Sequence, residues 1–248
     1  MEFPFFLLFL FFAIAFIYGS VGHGGASGYI AVLTLTGFFS PELVPVVLIL
    51  NILVSSLALY NYGSKGFFEW SLFWPFAVSS IPAAFLGGVI DLEVQLFFIL
   101  VGCVLLLMAA MILFRTLNKM DTEHIKPIHI PAAFMFGMGI GFLSGLIGVG
   151  GGIFLSPLIL FLNWGKIKQI AAVSALFILV NSASGILGHA LTTEILWSSA
   201  ALLAAPVIIG GFAGSRFGVK TVKPSYVQYL LSVVLLIAGI KMLAQHAF

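Results

Sequence analysis

The chain has 248 residues, of which 62% belong to the apolar set AVILMFWYC and only 7% are charged, against roughly 25% charge in a soluble domain. A composition this apolar and this poor in charge cannot cover a globule with polar surface, so a soluble enzyme, a nucleic-acid binder and a disordered chain are effectively excluded, and ten Lys plus Arg against eight Asp plus Glu give a net charge of +2, too little to argue for a polyanionic partner. This composition fits an outer surface that meets lipid, and Cys103, the single cysteine, allows neither an internal disulfide nor a thiolate cluster.

The first apolar run, residues 3–18, follows Glu2 with no positive charge before it and no A-x-A-like site after it. It is expected to be a retained membrane segment rather than a signal peptide. Further apolar runs follow at 29–39, 43–62, 70–90, 94–114, 128–147, 153–164, 170–190, 195–217 and 226–243. Six or seven exceed 18 residues and can span a core of about 30 Å. The runs 29–39 and 153–164 are too short to span as helices alone. The longest polar stretch, 115–127, reads as a linker between a first transmembrane repeat at 1–114 and a second at 128–248.

The halves are expected to be duplicated. Gly22, Gly24 and Gly25 match Gly148, Gly150 and Gly151 at an offset of 126, and Ser55 matches Ser182 at 127. Glu69 matches Glu194 at 125, while Pro82 and Gly87 match Pro206 and Gly211 at 124. Apolar helices resemble one another by chance, so this punctuation carries the argument.

Two topologies compete. With four crossings per half, the halves are parallel and the basic residues divide five against five. With an odd number of crossings per half, the halves are inverted. One face then collects Lys65, Arg115, Lys119, Lys126, Lys166, Lys168, Arg216, Lys220 and Lys223, and the other keeps only Lys241. Nine against one is a strong positive-inside bias. The preferred fold class is therefore an all-α polytopic membrane protein with inverted repeats and helices broken at glycine-rich mid-membrane segments, both termini lying outside the cytoplasm.

The breaks themselves are Gly22, Gly24, Gly25 and Gly28, then Gly148, Gly150, Gly151 and Gly152. Adjacent glycines weaken helix and admit backbone angles closed to other residues. The short helix after each break would start inside the membrane with unpaired N–H groups that attract an anion. Inverted halves would bring two such positive ends around one cavity. Helix-spaced glycines read differently: Gly137, Gly141 and Gly145, and Gly210, Gly214 and Gly218, are assigned to close helix packing.

His23 is the ionisable side chain expected nearest the cavity, to bind an anion or carry a proton, against a bland role capping broken backbone. Asn51 and Ser55 share a helix face, as do Ser174 and Asn181, with Ser182 and Ser184 nearby. These neutral groups suit an anion or water, and equally a neighbouring helix. Glu69 and Glu194 precede Trp70 and Trp197 at matching helix starts, and simple interfacial anchoring is the favoured role. No metal site or cofactor is expected, and no serine-histidine-acid set can be assembled at one depth.

At residues 143–161, LSGLIGVGGGIFLSPLILF, the sequence resembles the sulfite exporter TauE/SafE family (DUF81, TSUP), with Gly148, Gly150, Gly151, Gly152 and Pro157 as its motif. The first-half copy keeps Gly22, Gly24 and Gly25, but His23 and Ala26 intrude and no matching proline follows. Residues 82–88 and 206–214 resemble the family's proline-glycine helix. The resemblance implies a bacterial or archaeal plasma-membrane secondary transporter, with duplicated halves, for a small sulfur-containing anion such as sulfite, a sulfonate, sulfoacetate or thiosulfate, with protons as a candidate coupling ion. The substrate-binding residues expected are Gly22, His23, Gly24, Gly25, Asn51, Ser55, Gly148, Gly150, Gly151, Gly152, Ser174 and Asn181. An anion channel or a non-transporting scaffold is the alternative. A scaffold would pack the glycine breaks shut.

Overall fold

Apolar side chains in this chain recur all round each segment rather than on one stripe, and the segments fold as helices whose two sides meet different apolar media. The computed structural model describes residues 4–118, 125–220 and 225–246. Among these are ten α-helices: α1 Phe5–Ser20, α2 Ala26–Thr36, α3 Val44–Gly63, α4 Trp70–Val89, α5 Val94–Asn118, α6 Ile130–Ile147, α7 Gly152–Phe161, α8 Ile167–His189, α9 Trp197–Lys220 and α10 Ser225–His246. A single 3-10 turn, Pro41–Leu43, leads into α3. The protein is an all-α polytopic membrane protein, and among the described residues six helical stretches are long and apolar enough to cross a bilayer. At ~1.5 Å per residue, α2 and α7 reach only about half a bilayer core. Helix α5 runs on to Asn118, into the polar stretch read as linker. Met1, Glu2, Phe3, Lys119, Lys223 and Phe248 lie outside the described residues.

The burial pattern is inverted relative to a soluble protein. Phe5, Phe9, Met135, Ile209, Leu187 and Trp197 face outward, while Asn51, Ser55, Ser144, Ser174, Asn181 and Ser182 are buried. Lipid accepts the first group without cost, and only protein can supply hydrogen bonds to the second.

Two glycine ladders set the tightest helix contacts. A Cβ on Gly137, Gly141 or Gly145 of α6 would run into the backbone of Phe76, Ser80 or Ala84 on α4. On α9, Gly210, Gly214 and Gly218 meet the backbone of Phe12, Phe16 and Ser20 on α1 in the same way. Steps of four residues on both members bring the backbones together, as small residues do where lipid removes the hydrophobic drive between helices. Helix α10 packs along α5, and α3 packs between α8 and α9.

One end of the bundle gathers several basic loops. Lys168 Nζ donates to Val219 O at 3.1 Å and lies 5.1 Å from the centre of the Phe67 ring. The Lys126 amide donates to Asn163 O at 2.7 Å. At the far end of α2, Phe39 packs on Phe97 and Phe98 in the first turn of α5, and Lys241 Nζ caps α2 by donating to Thr34 O and Leu35 O at 2.9 and 3.0 Å.

Candidate functional site

The segment joining α1 to α2 is built on left-handed glycines. The end of α1 is closed by Val21 N and His23 N, both donating to Tyr18 O, and by Gly22 N donating to Gly19 O. Gly22 has φ +79° and Gly25 φ +106°. The segment joining α6 to α7 has Gly148, Gly150 and Gly151 at φ +75°, +73° and +77°. A side chain at such angles costs roughly 1–2 kcal/mol per residue, which is why these positions carry glycine. Neither α2 nor α7 has a side-chain cap from its own N-cap glycine.

Both segments converge on Asn51 of α3. Asn51 Oδ1 accepts from Ala26 N, the first amide of α2, at 3.1 Å. Asn51 Nδ2 donates to Ser182 Oγ of α8 at 2.9 Å. A Cβ on Gly24 or on Gly150 would overlap the Asn51 amide, and one on Gly152 would overlap Ile178. Gly22 lies against Ala171 of α8, and Gly148 against Val44 of α3. The two glycine segments are therefore packed closely around one buried asparagine.

The other expected residues divide. Ser174 Oγ pairs with Ser156 Oγ at 2.8 Å and ties α8 to the second turn of α7, and Ser174 O would lie 3.5 Å from a Cβ on Gly152. Asn181 Nδ2 donates to Phe177 O at 2.8 Å, while its Oδ1 has no protein partner. Ser55 is not drawn in: its Oγ donates to Ile52 O at 3.2 Å within its own helix. His23, 8% exposed, directs Nδ1 to Val21 O at 3.0 Å and stands edge-on to Tyr18. With Nδ1–H donating, Nε2 is the nitrogen that takes up a proton.

Three residues of this neighbourhood were missed by the sequence reading. Tyr18 OH and Ser27 Oγ bond at 2.7 Å beside the first segment. Ser144 closes α6 by accepting Gly148 N on its carbonyl at 3.0 Å, and its Oγ is unpartnered. Tyr18 and Ser144 are 126 apart, the offset of the glycines, but a tyrosine opposite a serine is no matching punctuation, and nothing in the sequence set either apart.

Among the described residues, the buried polar set contains His23 and His189 but no Lys, Arg, Asp or Glu. Electrostatics at Asn51 therefore come from helix ends and neutral dipoles. The first amides of α2 and α7 carry the positive ends of their helices. A cavity of about 390 Å³ lies elsewhere, at the basic end, lined by Glu69, Trp74, Lys126, Trp164 and Gln169 among others.

Comparison with known proteins bears on this arrangement. Residues 7–242 match the family described as sulfite exporter TauE/SafE. A probable membrane transporter protein, y4hK, of Sinorhizobium fredii is 35% identical over 237 residues, 94% of this chain and 95% of that protein. A probable membrane transporter protein of Xylella fastidiosa is 30% identical over 109 residues, 44% of this chain and 41% of that one. YunE of Bacillus subtilis, also a probable membrane transporter protein, is 28% identical over 109 residues, 44% of this chain and 40% of its own length. No solved structure matches the chain. With the match running through nearly every helix described above, the chain belongs to the sulfite exporter TauE/SafE family of membrane transporters.

Proposed function

We propose that this chain is a secondary transporter of a small, sulfur-containing oxyanion, recognised where the N-termini of α2 and α7 meet around Asn51. The carrying observation is that junction: two helix starts with no cap from their own N-cap residue, and a neutral amide that takes the first N–H of α2 and bonds Ser182, with no Lys, Arg, Asp or Glu in the buried polar set of the described residues. Helix N-termini favour a negative charge, and a neutral lining lets it leave again. The family's description names sulfite, which sets the substrate class tested first.

Inverted, duplicated halves are part of this reading, and paired contacts support them. Helix α1 packs on α9, and α6 on α4. Gly22 meets Ala171 and Gly148 meets Val44, and Val44 and Ala171 are themselves 127 apart. Tyr62 OH donates to Ser20 O at 2.7 Å, and His189, 127 residues on, bonds Gly145 O at 2.8 Å. Two copies of one unit related by a pseudo-two-fold axis would repeat contacts in this way.

The close packing at Asn51 is what a non-transporting scaffold would have, and also what the occluded state of an alternating-access cycle would have. Flux decides between them. In proteoliposomes, labelled sulfite, thiosulfate, sulfoacetate and phosphate are offered on one side. Saturable uptake of a sulfur anion, with phosphate excluded, is the expected result. A protein that stays folded in the liposome and moves none of the four is a scaffold.

A further inference from the structure

Ser144 Oγ and Asn181 Oδ1 are buried without a protein partner, and both residues are 0% exposed. The Asn181 amide is oriented by Nδ2 donating to Phe177 O one turn back, so the unused end is the oxygen, which can only accept. A buried acceptor left unsatisfied is costly, so the pair asks for a ligand. Their location says which. Ser144 stands beside the N-cap of α7: a Cβ on Gly151 would lie 3.4 Å from Ser144 Cβ and 2.9 Å from the Phe177 ring. Two turns further along α8 from Phe177, a Cβ on Gly185 would lie 3.4 Å from Gly145 Cα. Asn181, a turn before Gly185, and Ser144, next to Gly145, thus flank the same α6–α8 seam at the level where α7 begins.

Three demands meet there. The N-terminus of α7, uncapped by any side chain of its own N-cap residue, favours negative charge. The Ser144 hydroxyl gives or takes a hydrogen bond, and Asn181 Oδ1 requires a donor. A fully deprotonated anion answers the first two and is repelled by the third. An anion that carries its own O–H or N–H answers all three. The first half lacks this set: Tyr18, matching Ser144, is already bonded to Ser27, and Val54 stands 127 residues before Asn181.

We propose, building on the transport reading above, that Ser144 and Asn181 form with the start of α7 a subsite selective for small oxyanions bearing a hydrogen-bond donor, such as a singly protonated sulfur oxyanion or a hydroxylated sulfonate. Asn181 Oδ1 accepts the donor's hydrogen, and Ser144 Oγ bonds an anionic oxygen.

The test is competition against labelled sulfite on the full-length protein in lipid nanodiscs at one fixed pH. The competitors are hydroxymethanesulfonate and ethanesulfonate, which share charge and size but differ by a hydroxyl for a methyl. The parent protein is expected to prefer hydroxymethanesulfonate by about tenfold, and Asn181→Leu to reduce the preference to about twofold or less. Ser144→Ala, a milder change, is expected to weaken both competitors. Equal competition in the parent, or none from either sulfonate, overturns the subsite while leaving anion transport standing. So does a folded Asn181→Leu protein that keeps the preference. If that variant fails to fold, the parent comparison still decides. A parent that binds none of sulfite, thiosulfate and sulfoacetate removes the transport reading, and the subsite with it.

Discussion

Asn51 uses both ends of one amide on two different elements, the oxygen on the first amide of α2 and the nitrogen on Ser182 of α8. Asn51→Leu keeps the volume and strands two buried polar groups, each worth about 1–3 kcal/mol. A lowered thermal midpoint in detergent is expected, and a variant as stable as the parent would deny the amide its bridging role. Asn51→Asp keeps the acceptor for Ala26 but sets a carboxylate where an anion is proposed to pass, so transport is expected to fall at least tenfold, well beyond any stability loss. Glycine variants separate these effects poorly. A side chain at Gly150 meets a positive φ and the Asn51 amide together, so Gly150→Ala is expected to lower stability and flux in parallel. His23 poses the question of coupling. If Nε2 carries a proton between faces, His23→Gln should retain anion flux but lose its response to an imposed pH gradient, read with a pH dye inside the liposome. Unchanged coupling in that variant would leave His23 as a cap on the Val21 carbonyl.

At the scale of helices, the two glycine patterns behave differently for a physical reason. Glycines four apart stay helical and admit a neighbouring backbone, as Gly141 does against Ser80. Adjacent glycines give positive φ and end the helix, as Gly150 and Gly151 do. Gly139 supplies a control on the same helix, since a Cβ there meets nothing within 4 Å. Gly141→Ala is expected to lower thermal stability by about 1–3 kcal/mol through overpacking, and Gly139→Ala to be neutral or slightly stabilising. Equal effects of the two in one detergent melt would remove the ladder as a stabilising contact. This distinction was legible in sequence because spacing alone carries it, and the helix order was legible because apolar runs and polar punctuation alternate. Tertiary partners were not. Asn51 and Ser55 share a face by spacing, yet Ser55 turns back to Ile52 O while Asn51 crosses to α8. Ser144 sits in an apolar helix where a lone serine has no period to stand out from. Its unpartnered hydroxyl becomes visible only once α7 is folded beside it.

At the scale of the molecule, orientation follows from where charge collects. The proposed inverted arrangement puts nine basic residues on the cytoplasmic face, since lysine and arginine are retained there. The packing of one end agrees with it. Lys168, in the first turn of α8, touches both Phe67, two residues after Lys65, and Val219, next to Lys220, and Lys126 is bonded to Asn163. A parallel arrangement would send the first and last members of that set to opposite faces. Glu93 marks the other end, just before the α5 turn that holds Phe39. Lys65, Glu93, Lys126 and Lys220 are exposed, as is Cys103, so single cysteines belong in a Cys103→Ser background. Lys65→Cys, Lys126→Cys and Lys220→Cys should react with an impermeant maleimide in inside-out vesicles and stay unlabelled in intact cells. Glu93→Cys should do the reverse. Labelling of the Lys65 and Lys220 positions from opposite faces would end the inverted reading. The two helix starts at Asn51 would then no longer belong to symmetry-related units, and the anion site would have to be rebuilt from one half alone.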